Sequence, residues 1–232
     1  MRFLSILLSI GQVLCLLLAL LYFAIMIPSF HMGFYQREFE RNNVAQVIGI
    51  ERDELTRVTR HLMDYMLGRE DDLQITVVVQ GEARPFFSQR EIDHMVDVKD
   101  LFAAGRQIFN VAAIALVVMF VMLKFTDRYG LQTLARTVKT VFIGVLALLA
   151  ILTVVISLDF IGAFHIFHEI FFNNDYWLLD PQVDLLINMV PYPFFINIAI
   201  YSAALFVFFS AIVIALSTVY LRRARRMRRW FS

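Results

Sequence analysis

Ser88–Leu101 reads SQREIDHMVDVKDL, and it runs without a break into an apolar segment that ends at Phe125. Ser88 and Glu91 have the S-x-x-E spacing of a helix N-terminal capping box, so a helix is expected to begin here. His94 falls about two turns into that helix and shares a face with Arg90 and Glu91 before it and with Asp97 and Val98 after it. If the helix continues into the apolar run, a histidine with carboxylate neighbours stands at the edge of a bilayer. This arrangement organises the reading of the rest of the chain.

The chain has 232 residues, of which 59% are hydrophobic and 18% charged. A soluble domain has about half and about a quarter, respectively. The excess is concentrated in four runs of about 20 residues, the length that crosses about 30 Å of hydrocarbon. The expected divisions are a first span at 1–28, a polar cap at 29–102, a second span at 103–125 and a connection at 126–139. A third span follows at 140–158, then an aromatic-rich segment at 159–193, a fourth span at 194–220 and a basic tail at 221–232. The run Phe3–Ile27 is longer than the apolar core of a secretory signal and is expected to remain as a helix. Basic residues collect on the cytoplasmic side. Arg2, the connection with Arg128, Arg136 and Lys139 against Asp127, and the six arginines of the tail fall on one side of a four-span chain. Both termini are therefore expected in the cytoplasm, with the cap and the 159–193 segment outside. Arginines next to a span set topology and touch anionic lipid, so the tail is not read as a nucleic-acid site. The single cysteine gives no disulfide framework, and no Cys/His spacing suggests a structural zinc site.

The cap holds 14 acidic and 9 basic residues and is too long for a bare loop. Leu55, Val58, Leu62, Tyr65 and Met66 form one stripe of an amphipathic helix over 51–67, stopped by Gly68. A strand is expected over 73–79, a turn at Gln80–Gly81–Glu82 and a returning strand over 84–87. The second outward segment, FHIFHEIFFNNDYWLLDPQVDLLINMVP from Phe164, is too apolar for a solvated loop. It reads as an interfacial helix over 164–172, a break at Leu179–Asp180–Pro181 and a second short helix over 182–190. Tyr176 and Trp177 suit the headgroup level. The expected fold is an integral membrane, all-α four-helix transmembrane bundle with a small extracytoplasmic α+β cap between spans 1 and 2 and an interfacial helical segment between spans 3 and 4.

In this topology His94 and His168 can meet. Histidine is the side chain best suited to proton transfer near pH 7. A pair with carboxylates at a membrane surface suggests acyl or phosphoryl transfer on a lipid, whereas the plainer reading makes both histidines packing or interfacial residues. Asp97 or Glu91 could orient His94, or sit on a solvated helix face. Arg90 and Lys99 could position substrate or touch the anionic surface, and Lys99 could simply snorkel. Trp177, with Asn173 and Asn174, could line a substrate groove or anchor the interface. Asp180 is expected to cap the helix after it. His165 lies three residues before His168, but H-x-x-H-E is not the zincin order and no third ligand is evident, so no metal is assigned. Ser88 is explained by its capping role rather than as a nucleophile. His31 and His61 are read as surface residues. Arg106 and Asn110, costly in lipid, are expected to face the bundle interior.

The two outward motifs, FFSQREIDHMVDVKDLF and FHEIFFNNDYWLLDPQVDLLINMVP, in this order and separated by a pair of spans, resemble those of the bacterial lipoprotein intramolecular transacylases, Lit. The resemblance covers most of the chain. It implies an enzyme of the bacterial cytoplasmic membrane with its active site at the outer leaflet and a diacylated lipoprotein as substrate. The implied reaction moves the sn-2 fatty acid of the S-diacylglyceryl group to the α-amino group of the lipoprotein's N-terminal cysteine. The product is an N-acyl, S-monoacylglyceryl lyso form. By motif, the family's two essential histidines fall on His94 and His168. No cofactor is implied, and the chain has no P-loop or dinucleotide fingerprint. The rival readings are a non-catalytic membrane accessory protein whose cap binds a partner, and a lipid esterase. Oligomeric state is not readable from the sequence.

Overall fold

In the computed structural model, residues 2–126 and 129–230 are described, with side chains to residue 227. Asp127 and Arg128 of the basic connection, and the side chains of Arg228 and Arg229 in the tail, lie outside the described residues. In chain order the elements are α1 (Arg2–Ser29), α2 (Met32–Arg41), α3 (Val44–Ile48), α4 (Arg52–Met66), β1 (Thr76–Val79) and β2 (Glu82–Pro85). They continue with α5 (Gln89–Thr126), α6 (Gly130–Leu158), α7 (Phe160–Phe171), α8 (Leu185–Met189) and α9 (Tyr192–Trp230). The chain divides into two compact units. One comprises Met1–Ile25, Arg106–Leu158 and Ser202–Ser232; the other comprises Met26–Gly105 and Asp159–Tyr201.

The first unit is the membrane bundle. α1, α5, α6 and α9 each contain a window of 18 residues with mean hydropathy between 2.4 and 3.0, and the chain is a multi-pass membrane protein. A small interior forms where Val13, Val138 and Phe142 meet, with Leu16, Leu17, Leu134, Val213 and Ile214 around them. Tyr22 stacks on Phe109 at 4.5 Å. Most of the apolar surface faces outward instead, including Val111, Ile114, Val117, Ile151 and Val154, as expected where lipid tails replace water as the solvent. Arg106 and Asn110 do not face the interior; both are exposed. The inner face of α5 is taken by Phe109 and Ala112, which turns residues 106 and 110 out. The arginine lies close enough to the start of the apolar run to snorkel.

The second unit has a core of its own. Phe39, Ile48, Leu55, Val58, Leu62, Leu73, Val77, Phe86, Phe87 and Met95 form one buried cluster with Leu186 and Met189. α4 contributes the expected stripe. The sheet is a single antiparallel hairpin with Val79 opposite Glu82. Its two-residue loop, Gln80–Gly81, has φ of 53° and 87°, the pattern of a tight type I′ turn that glycine accepts readily. Because the turn is this tight, the returning strand pairs from Glu82 rather than Arg84. Leu73 leaves the strand register and is buried in the core.

α2 and α3 are additional to the sequence reading. In α2, Glu38 is buried, accepting hydrogen bonds from Arg41 at 2.8 Å and from Asn197 on α9 at 2.7 Å. A carboxylate removed from water needs such partners. α7 begins earlier than expected because Asp159 caps it, accepting from the backbone N–H of Gly162 at 2.8 Å. α7 exposes Ile161, Ile166, Phe167, Ile170 and Phe171, an apolar face suited to lipid rather than water.

Candidate active site

The start of α5 fixes the first histidine. Ser88 Oγ accepts from the Glu91 backbone N–H at 3.3 Å, and the Glu91 carboxylate accepts from the Ser88 N–H, so the capping box forms as its spacing implies. Its reach goes further than the sequence suggests. The other Glu91 oxygen accepts from the Leu186 backbone N–H, and Ser88 Oγ donates to Asp184 at 2.8 Å. Glu91 is fully buried, and desolvation raises its pKa above the usual carboxylate value. It therefore docks α8 against the first turn of α5 and does not orient His94. Glu91→Gln is expected to destabilise the protein by about 2 kcal/mol, because one amide oxygen replaces two acceptors and the NH2 group meets a backbone N–H. A thermal melt in detergent measures this; an unchanged melting point would contradict the docking role.

His94, one turn beyond Glu91, and His168 on α7 are 8% and 7% exposed. Their ring centroids are 5.9 Å apart with the planes tilted by 40°. Phe172 meets His94 edge-on at 5.3 Å and lies 5.5 Å from His168. Phe164 lies 4.2 Å from His168, and Trp177 stacks on it at 4.8 Å and 27°. His168 Nδ1 lies 2.7 Å from the Phe164 carbonyl oxygen. A carbonyl only accepts, so Nδ1 carries the proton and Nε2 of the neutral ring keeps its lone pair. Nδ1 of His94 is buried and has no hydrogen-bond partner among the described residues.

Burial disfavours both imidazolium forms. The His94 pKa is pushed down to about 4, mainly by desolvation and then by His168, against the opposing pull of Asp97. The His168 pKa also falls below the ordinary histidine value, because of burial, although the Phe164 carbonyl favours its charged form and His165 adds to the depression. At neutral pH the site holds two uncharged imidazoles, one with an unshared Nε2 lone pair. The arrangement can accept a proton at one ring and donate a hydrogen bond from the other.

The remaining candidates separate into those beside the histidines and those elsewhere. Arg90 donates to the carbonyls of Asp175 and Leu178, both at 3.1 Å, and Asp97 accepts from Asn174 at 2.8 Å. Neither hydrogen-bonds to His94. Lys99 lies away from the histidines: it donates to the Glu70 carbonyl at 3.1 Å and sits 3.9 Å over the Tyr65 ring. Asp180 does not cap α8. Its carboxylate accepts from the Gln182 N–H in the preceding turn, and Asp184 occupies the N-cap position. His165 packs edge-on to Trp177 at 5.1 Å, and no cluster of three or more metal-ligating side chains occurs among the described residues. His31 is exposed, whereas His61 is half-buried with Nε2 enclosed. Sequence reasoning missed Phe164 and Phe172 as walls of the site. Their spacing carried the signal, since residues four before and four after His168 share its helical face.

Fold and site together define a polytopic membrane protein with four spanning helices and a buried pair of neutral histidines. The model of the lipoprotein intramolecular transacylase Lit family matches residues 10–195, and the chain belongs to that family. It is similar to the in meso structure of the membrane integral lipoprotein intramolecular transacylase Lit from Bacillus cereus, with 22% identity and a TM-score of 0.78 over 98% of this chain and 100% of that one. Structures of the same Bacillus cereus protein with one histidine changed to arginine or to alanine match at 21% identity and a TM-score of 0.75, over 98% and 97% of this chain and 96% and 97% of those. At this identity the likeness bears on the fold. No curated protein sequence matches the chain.

Proposed function

We propose that this protein catalyses an intramolecular O-to-N acyl transfer on a diacylated lipoprotein, taking the sn-2 acyl chain of the S-diacylglyceryl group to the α-amino group of the N-terminal cysteine. The observation that carries the proposal is the approach of two buried imidazoles to 5.9 Å, in a chain of this family. The amine nitrogen attacks the ester carbonyl, a C–N bond forms and the C–O bond to glycerol breaks. His168 Nε2 takes the amine proton and returns it to the glyceryl oxygen. The His94 ring, held neutral, donates an N–H to the carbonyl oxygen as charge develops there; a neutral imidazole can serve in this role. An imidazolium at His94 is not part of this scheme, because burial opposes it.

An amide replaces an ester, so the transfer runs downhill without ATP or an acyl carrier. Holding amine and ester side by side supplies much of the acceleration. The hydrocarbon-crossing parts are read as 1–28, 103–125, 140–158 and 194–220, with both termini in the cytoplasm and the histidines at the outer leaflet. The exposed apolar face of α7 supports contact with membrane lipid.

A free α-amine ionises at about 7.7–8, above either histidine. The transfer rate is therefore expected to rise with pH to a plateau above about 8, with no alkaline fall, because no imidazolium is required. A rate profile with a synthetic S-diacylglyceryl lipopeptide in bilayers measures this, and a bell falling above pH 7 would contradict it. With the α-amine acetylated, the same lipopeptide is expected to stay intact. Release of free fatty acid from it would make the protein an esterase.

A further inference from the structure

Arg90, His94 and Asp97 lie four and then three residues apart on α5 and so share a face. The two outer members both reach the turn between α7 and α8. Arg90 holds the carbonyls of Asp175 and Leu178, and Asp97 holds the Asn174 side-chain amide. That turn is also tied internally. Asn174 Oδ1 accepts from the Tyr176 N–H at 3.1 Å, and the Asn174 carbonyl accepts from Trp177 Nε1 at 2.9 Å. Trp177 is thereby fixed at its indole nitrogen, and its ring face lies on His168.

We propose that Asp97 and Arg90 form a clasp that sets the His168 ring against His94 through Asn174 and Trp177. Asp97 is then a positioning residue acting on the distant histidine, not the orienter of the adjacent one. The path is continuous: Asp97 carboxylate to Asn174 amide, Asn174 carbonyl to Trp177 indole, and indole face to imidazole face. Both histidines are referred to one rigid helix, His94 directly and His168 through the clasp. Nothing in the path needs the negative charge of Asp97, only an acceptor at its position.

This inference rests on the acyl-transfer reading, and its test separates the two. Single-turnover rates of N-acylation would be measured at saturating protein for Asp97→Ala, Asp97→Asn, Trp177→Leu, Trp177→Phe and the Asp97→Ala/Trp177→Leu pair. Asp97→Ala and Trp177→Leu are each expected to slow transfer about 30-fold, since a misplacement of about 1 Å in a reacting group costs up to about a hundredfold. Asp97→Asn keeps an acceptor and Trp177→Phe keeps a ring, so each stays within about threefold of wild type. The double variant is expected to be no slower than the slower single, because both changes cut one path. Multiplying losses, or Asp97→Asn as slow as Asp97→Ala, would overturn the clasp and point to a charge effect on His94.

Emission from Trp177, read in a Trp230→Phe background, gives a readout independent of turnover. Asp97→Ala is expected to shift it to the red and Asp97→Asn to leave it in place; no shift with Asp97→Ala would overturn the clasp. A wild-type protein that transfers no acyl chain would defeat the proposed function whatever the emission shows.

Discussion

Phenylalanine in place of His168 is expected to lower N-acylation by about 10²–10⁴-fold, the range a positioned general base supplies. The substitution is chosen to isolate the chemistry. His168 is packed among Phe164, Phe172 and Trp177, and alanine would leave a cavity that costs stability as well as a base. Phenylalanine keeps a ring in that stack and removes only Nε2 and the Nδ1 bond to the Phe164 carbonyl. Melting behaviour close to wild type, with transfer lost, is the expected pair of results. A His168→Phe protein retaining more than a tenth of the wild-type rate would remove the base from the mechanism.

Removal of the His94 N–H is expected to be almost as damaging. Loss of one oxyanion donor costs about 10²–10³-fold in a preorganised site, and His94→Ala is expected in that range. The informative comparison is His94→Gln, which offers an amide N–H from a similar reach but cannot shuttle protons. Because burial holds the His94 pKa near 4, the ring donates as a neutral group, and glutamine is expected to recover about tenfold over alanine. Equal inactivity of the two variants would mean that His94 carries a proton during the reaction, and the roles of the two histidines would have to be reassigned.

The elements read correctly from sequence are those whose cause is local. The stripe of α4, the Ser88–Glu91 box, the hairpin turn at Gly81 and the four apolar runs each follow from spacing within about 20 residues. The approach of His94 to His168 was legible at the level of topology, because both stand beside spans that four-span connectivity brings to one side. What was not legible is how side chains spend their hydrogen bonds over long separations. Glu91 looked like a neighbour for His94, yet its second oxygen is committed to Leu186, 95 residues away. Asp97 is likewise committed to Asn174, and Lys99 to Glu70. Asp180 spends its carboxylate on the Gln182 N–H, and Asp184, at the N-cap of α8, spends its own on Ser88, 96 residues away in sequence, and on the Asp180 N–H. Arg106 and Asn110 point outward because Phe109 and Ala112 win the packed face, a choice made by the partner helix Tyr22 comes from.

In the proposed reaction the sn-2 acyl chain moves to nitrogen within one substrate molecule. The most direct measurement uses a diacylglyceryl lipopeptide with an isotope label in the sn-2 chain only. It is incubated with the membrane-reconstituted protein and analysed by fragmentation mass spectrometry before and after mild alkaline hydrolysis. The expected result is an intact mass equal to that of the substrate, the label on the amino-terminal fragment, and its retention when esters are cleaved. A label that stays on glycerol, or leaves as free fatty acid, would contradict it.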